Sequence, residues 1–268
     1  MPQTAKIDME TRRQQQLPPV TKADIRAGLA AVGVAPGDTL WVHSSLSAFG
    51  YVEGGADTVL DAMLETLGPA GTLVLPTFAW GAFHAAQRAV FDVAHTPCET
   101  GRIPETFRQR PGVLRSPHIC HSVAACGPHA AAVLGDGVHP FGQGSTFDAL
   151  YRLDAWNLML GVSFQSCTAL HCAEELEQVP YRAYRDFKDC EVVLADGRRG
   201  VCAAVEFLRQ DGSSNDFAKV EALFAAAGIL RTSQVGAARL VNVRIREVID
   251  RARQLLQRDV RFLSRNRI

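Results

Sequence analysis

The chain has 268 residues, enough for one large domain or two small ones, and 47% of them are hydrophobic, ample for a shared core. Lys plus Arg and Asp plus Glu number 28 each, so no net field would hold nucleic acid or a membrane surface, and a charged ligand must be recognised locally. Seven cysteines in mostly apolar settings, with no secretory signal read before them, fit reduced thiols in a cytoplasmic protein, and the longest apolar runs, TLVLP at 72–76 and LMLGV at 158–162, are too short to span a bilayer.

Residues 1–20 are polar and end in Pro-Pro, which reads as a flexible arm in front of a single domain over 21–268. Thr21 can cap a helix running to about Val32, TLWVHSS reads as a strand, Gly55 to Leu67 as an amphipathic helix and GTLVLPTF as a second strand. A turn-rich loop over 92–102 precedes short helices near Pro104 to Arg110 and Pro128 to Leu134. NLMLGV then reads as a buried strand and Thr168 to Gln178 as a helix. CEVVLADGRRGVCAAVEF predicts a hairpin turning at Asp196-Gly197, with antiparallel pairing beside a βαβ-like array, and helices near Asp216 to Ala227 and Arg246 to Arg258 close the chain. Arg251, Arg253, Arg258, Arg261, Arg265 and Arg267 read as a solvated basic face.

Reactive side chains concentrate in four segments at strand ends: HSSLSAFG at 43–50, PTFAW at 76–80, RSPHICHSVAACG at 115–127 and SCTALHCAE at 166–174. In the last, Ser166 or Thr168 can cap a helix that carries His171 and Glu174 three residues apart on one face. A carboxylate on one ring nitrogen fixes the tautomer and frees the other nitrogen to take a proton, as a general base requires; Glu175 is the alternative orienter. Locally, a helical histidine with a solvated glutamate neighbour is the commoner arrangement, and only the other segments raise the dyad above it. The Ser/Gly turn of HSSLSAFG offers hydroxyl and amide donors for phosphate or pantetheine, without a Walker or dinucleotide glycine spacing. RSPHICHS supplies Arg115 for phosphate and Ser116, His118, His121 and Ser122 for hydrogen bonds. Its histidines, with Cys120, Cys126 or His139, also admit a zinc site, and hence a zinc-dependent hydrolase, though there is no paired CxxC and no HExxH.

Taken in order, HSSLSAFGYVEGGA, GTLVLPTF, FDVAHTPCETGRIPETFRQRPGVLRSPHICHSVAACGPHA, HPFGQGSTFDALYRLD and LMLGVSFQSCTALHCAE resemble the aminoglycoside 3-N-acetyltransferase family from about Gly37 to Glu174. The resemblance implies an α/β fold of three layers, α/β/α, with a mixed central sheet. It implies direct transfer of an acetyl group from acetyl-CoA to the 3-amino group of an aminoglycoside, with no metal. His171 of the T-x-x-H-x-x-E pattern would be the base, with Glu174 and Thr168 beside it. Ser44, Ser45, Leu46, Ser47, Thr77, Arg115, Ser116, His118 and Ser122 would line the coenzyme, and Phe78, Trp80, Asp92 and Glu175 the acceptor. The expected partners are a small-molecule amine and coenzyme A, with room for a homodimer. The chain departs from the family in carrying His118-Ile119 where His-Pro is usual. Residues 79–91 carry no Asp or Glu and include Arg88, which makes an acyl-CoA N-acyltransferase for a non-aminoglycoside biosynthetic amine the alternative.

Overall fold

Burial alternates by side along Thr39–Ser44 (β1): Leu40 and Val42 pack to one face of the sheet, Trp41 to the other. The same division recurs along Thr72–Pro76 (β2), where Leu73 and Leu75 oppose Val74, and along Trp156–Leu160 (β6), where Leu158 and Leu160 oppose Met159. Strands buried on both faces need a helical layer on each side, and the computed structural model, which describes residues 18–80, 89–187 and 190–265, has both.

Lys22–Ala31 (α1), Gly55–Leu67 (α2) and Arg102–Arg108 (α3) cover one face through Ile25, Leu29, Val59, Met63, Ile103 and Phe107. The other face is covered by Ala130–Val133 (α4), Thr146–Arg152 (α5), Leu170–Leu176 (α6), Val220–Ala226 (α7) and Ile245–Arg258 (α8), through residues such as Phe147, Leu170, Phe224 and Val248. Each fully buried Leu, Val or Phe contributes roughly 1.5–3 kcal/mol relative to exposure.

The remaining strands are Val90–Asp92 (β3), Leu114–Arg115 (β4), Val123–Cys126 (β5), Arg182–Asp186 (β7), Glu191–Val193 (β8), Arg199–Val201 (β9), Val205–Arg209 (β10), Ser214–Asn215 (β11), Arg231–Val235 (β12), Ala238–Arg244 (β13) and Ser264–Arg265 (β14). The main sheet has seven strands in the order β12-β13-β6-β1-β2-β5-β4, with β6, β1 and β2 parallel and antiparallel strands on both sides. This is the three-layer α/β/α fold with a mixed sheet.

The capping box at Thr21 is present: Thr21 N donates to Asp24 at 2.9 Å and Asp24 N to the Thr21 hydroxyl at 3.3 Å. The hairpin at Asp196-Gly197 also forms, with Gly197 at φ 82°. It lies outside the main sheet, however: β8 and β9 join β3 in a separate three-stranded sheet, and β10 pairs with β7. The antiparallel strands of the main sheet come instead from β12–β13 and β4–β5. The helix expected over 168–178 is shorter, Leu170–Leu176, and α3 starts at Arg102, two residues before Pro104.

Of the arm expected over 1–20, residues 1–17 lie outside the described residues; Val20 is buried and bridges Val52. Four of the tail arginines are paired, Arg251 with Glu247, Arg253 with Glu177, Arg261 with Asp211 and Arg265 with Asp216; Arg267 lies outside the described residues. Among the described residues no helix is long and apolar enough to cross a membrane.

Candidate active site

The carboxyl ends of the three parallel strands open onto one cavity, the usual place for a site in an open α/β sheet. After β6, Gly161 adopts φ 71°, and a Cβ there would lie 2.5 Å from Ala48 Cβ, so only glycine lets the β6 exit pass under the HSSLS turn. A 3-10 turn over Phe164–Ser166 follows, its first residue's neighbour Ser163 accepting from Gln165 N at 3.3 Å. The capping expected of Ser166 or Thr168 is not found, since the N-cap of α6 is Ala169, with no side-chain cap. The Thr168 amide is committed elsewhere, donating to His43 Nε2 at 3.3 Å, while its carbonyl accepts from His171 N at 3.0 Å.

The three-residue spacing on α6 brings His171 Nδ1 within 2.5 Å of Glu174 Oε2. Glu174 has no solvent exposure, and burying a lone carboxylate would cost several kcal/mol. Here it accepts from Tyr181 Oη at 3.0 Å and pairs with Arg182 Nε at 2.8 Å and Arg209 Nη2 at 3.3 Å. Both guanidiniums are fixed in turn by donating to Asn215 Oδ1, each at 2.7 Å. Burial alone would raise the Glu174 carboxyl, but His171 and the two arginines outweigh it and hold it below the ordinary carboxylate range.

The His171 ring is wedged between Phe217, 4.8 Å away edge-on, and Phe141, 5.1 Å away. This burial, aided by the Arg182 charge, lowers its pKa below the usual histidine value despite the opposing pull of Glu174. The imidazole is therefore neutral at neutral pH. With Nδ1–H donated to Glu174, Nε2 keeps its lone pair, the state a proton acceptor needs.

His171 and Thr168 line a cavity of about 300 Å³ with His43, Phe78, Trp80 and Phe217. A second groove of about 620 Å³ runs past Ser44, Ser45, Leu46 and Ser47 to Gly55 and Arg102. Ser44 is common to both, so the two meet at the end of β1. The structure thus brings together the HSSLS turn, Phe78, Trp80, Thr168 and His171. No Asp or Glu is among the described residues that line the cavity.

The remaining expected coenzyme residues do not reach either space. Arg115 donates to Thr77 Oγ1 at 3.1 Å and to the carbonyls of Thr77, Val93 and Thr96 at 2.8, 3.3 and 2.5 Å. Ser122 Oγ donates to the Thr77 carbonyl at 2.5 Å, Ser116 Oγ accepts from Val123 N at 3.0 Å, and His118 Nδ1 accepts from His121 N at 3.0 Å. Thr77, Ser116, His118 and Ser122 are all buried. This cluster fastens the exit of β2 to β4 and β5; an arginine bonded to four internal acceptors keeps only one of its five N–H groups for any other partner.

Two expected acceptor contacts are likewise redirected. Asp92 accepts from Ala94 N and His95 N, both at 2.9 Å, and closes a turn. Glu175 points away from His171 and accepts from Tyr184 Oη, with its carboxyl raised chiefly by burial; Glu174 alone orients the imidazole. The carboxylate-free stretch 79–91 falls largely on 81–88, outside the described residues. For zinc, His139 pairs with Asp136 rather than with His118 or His121, and no group of three or more His, Cys, Asp or Glu able to hold a metal ion occurs among the described residues.

Sequence reasoning missed Phe217, Asn215, Arg182 and Arg209, which lie beyond the last distinctive motif, and assigned no role to His43, although it heads the HSSLS segment.

The profile of the aminoglycoside 3-N-acetyltransferase family matches residues 41–257. Aminoglycoside N(3)-acetyltransferase VII of Streptomyces paromomycinus is 32% identical over 262 residues, covering 87% of this chain and 90% of the relative. The crystal structure of aminoglycoside acetyltransferase AAC(3)-Xa superposes with a TM-score of 0.78 at 32% identity, covering 97% of this chain and 100% of that one. AAC-IIIb, solved as a binary complex with CoASH, superposes at 0.77 with 28% identity over 89% of this chain and 96% of that one. With a profile match spanning most of its length and a fold shared throughout, the chain belongs to the aminoglycoside 3-N-acetyltransferase family.

Proposed function

We propose that this acetyltransferase moves the acetyl group of acetyl-CoA directly onto the 3-amino group of an aminoglycoside, with His171 as general base and Glu174 as its orienter. The observation that carries this reading is the neutral, carboxylate-bound His171 in a cavity that meets the Ser44–Ser47 groove. Coenzyme A occupies that groove, with hydroxyls of the turn and Arg102 toward its polar end, and the thioester reaches the cavity past Ser44. A relative's complex with CoASH and another's name as an N(3)-acetyltransferase support both ligands. Such an enzyme works in the cytoplasm, where acetyl-CoA is made and free cysteines such as the seven here stay reduced.

The amine must be neutral to attack. Its lone pair adds to the thioester carbonyl carbon, and the π electrons move onto oxygen. The nitrogen, now acidic, gives a proton to His171 Nε2, and Glu174 balances the resulting imidazolium. Collapse breaks the C–S bond, and the thiolate takes the proton from His171 to leave as the CoA thiol. General-base assistance of this kind contributes typically ~10²–10⁴-fold, with positioning and oxyanion stabilisation supplying the rest. Thr168, one turn before His171, lines the same space.

A second reading, transfer to a less cationic amine, is favoured by the absence of Asp and Glu from both the described cavity lining and the sequence 79–91. A polycationic acceptor ordinarily needs carboxylates within reach. Free-thiol release from acetyl-CoA against aminoglycosides and simple monoamines separates the two. Higher kcat/KM on aminoglycosides supports the first reading, and a preference for the monoamines supports the second.

A further inference from the structure

The proton transfer described above makes no use of His43, a polar side chain of the cavity wall held by two hydrogen bonds. It stands at the end of β1 with 6% exposure. Its Nε2 accepts two hydrogen bonds, from the Trp41 indole N–H at 3.0 Å and from the Thr168 amide at 3.3 Å. A ring nitrogen that accepts N–H groups carries no proton, so the neutral imidazole holds its proton on Nδ1. The neutral form is favoured because burial pushes this histidine down to about 3. Among the described residues Nδ1 has no partner, while the ring lines the same cavity as His171. An N–H with no protein acceptor on a ring that lines the cavity is free to donate when a ligand oxygen arrives.

Several competing donors are spoken for. The Thr168 amide is used on His43, the Ser45 amide on the Leu160 carbonyl at 2.9 Å, the Thr100 hydroxyl on the Pro76 carbonyl at 2.6 Å, and Gln165 Nε2 on the Asn215 carbonyl at 3.0 Å. The Ser44, Ser166 and Thr168 hydroxyls also line the cavity, but each turns about its own bond. A donor fixed before the reaction needs no reorganisation when charge develops, which is what an oxyanion requires.

We propose that His43 Nδ1–H donates to the thioester carbonyl oxygen and stabilises the oxyanion formed when the amine adds. The Trp41 indole and the Thr168 amide set the tautomer, and Thr168 thereby couples the oxyanion donor to the helix that carries the base. His43 gives up no proton; the carbonyl oxygen gains a hydrogen bond as its π electrons shift onto it and loses charge again when the C–S bond breaks.

The proposal rests on the acetyl-transfer reading, and two measurements keep their failures apart. First, ¹⁵N-histidine NMR on the unaltered protein reads the tautomer without any turnover: His43 is expected as the Nδ1–H form without titration from pH 5 to 8, and an Nε2–H or titrating His43 overturns the proposal. Second, His43→Gln keeps an acceptor near the Nε2 position and loses the donor, whereas His43→Asn keeps a donor near Nδ1. His43→Gln is expected to lower kcat by ~10²-fold with KM for acetyl-CoA within a few-fold, and His43→Asn to retain at least ten times more turnover than His43→Gln. Equal kcat for the two variants, or unchanged kcat in His43→Gln, overturns it. If the unaltered enzyme moves no acetyl group to any amine, it is the acetyl-transfer reading that fails.

Discussion

Replacing Glu174 with glutamine removes one charge and almost no volume, and its consequences follow from the four partners of that carboxylate. Arg182 and Arg209, with side chains 7% and 11% exposed, lose their shared counter-charge, and breaking a buried pair from one side costs about 3–5 kcal/mol. At roughly 2–4 °C per kcal/mol for a chain of this size, Tm should fall by about 10 °C. Catalysis should suffer separately. Tyr181 and Arg209 both donate at Oε1, so they draw the amide oxygen there and turn the amide N–H₂ to the Oε2 position, where it faces His171 Nδ1 and Arg182 Nε. The imidazole then takes the Nε2–H tautomer, its lone pair is spent on the amide, and kcat should drop ~10²–10⁴-fold while coenzyme affinity stays within a few-fold. Thiol release at 20 °C, well below the lowered Tm, with acetyl-CoA affinity from calorimetry, reads both effects. Near-normal kcat in a destabilised Glu174→Gln protein would show that Glu174 does not set the His171 tautomer and is only an anchor for two arginines.

Three further outcomes are expected. Because His171 acts as the neutral form and its pKa is held below 6.5, the acid limb of kcat/KM that remains after allowing for the acceptor amine's own ionisation should lie below 6.5, with activity lost as pH falls through it; a remaining limb above 7 contradicts the burial of His171. Histidines buried in the neutral form bind protons more readily when unfolded. Stability should therefore fall as pH drops below about 6.5, by up to ~1.4 kcal/mol per pH unit for each of His43, lowered to about 3, and His118, lowered to about 4; denaturant midpoints flat between pH 7 and 5 would count against this. Arg115→Met leaves the Val93 and Thr96 carbonyls without their donor and should cost roughly 2–5 kcal/mol in unfolding titrations with KM for acetyl-CoA unchanged; a stable variant whose KM rises tenfold would restore Arg115 as a phosphate ligand.

The elements that were legible in the sequence are those whose pattern is local. β1, β2 and β6 are short apolar runs between turn residues, α1 announces itself with Thr21 and Asp24, and the His171–Glu174 spacing is a property of one helix. The β12–β13 hairpin escaped notice because its outer strand is an edge strand of polar character, RTSQV, with four of five residues at least partly exposed. The Asp196-Gly197 hairpin was readable as a hairpin, but which sheet it joins depends on β3, about a hundred residues earlier in the chain. Arg115 shows the same limit within the site. Nothing local distinguishes an arginine that meets a phosphate from one that gathers three carbonyls, because Thr77, Val93 and Thr96 approach it only in the fold. Glu174 was legible as a partner of His171, whereas Arg209, 35 residues further on, was not.

Whether His171 takes the proton of an amine attacking acetyl-CoA is measured most directly by thiol release with an aminoglycoside acceptor from the unaltered and His171→Ala proteins, alongside coenzyme affinity. A base at this position predicts N-acetylation by the unaltered enzyme, a loss of kcat of at least ~10²-fold in His171→Ala, and unchanged affinity for acetyl-CoA. Comparable kcat in the variant, or weakened coenzyme binding as the only change, would contradict it.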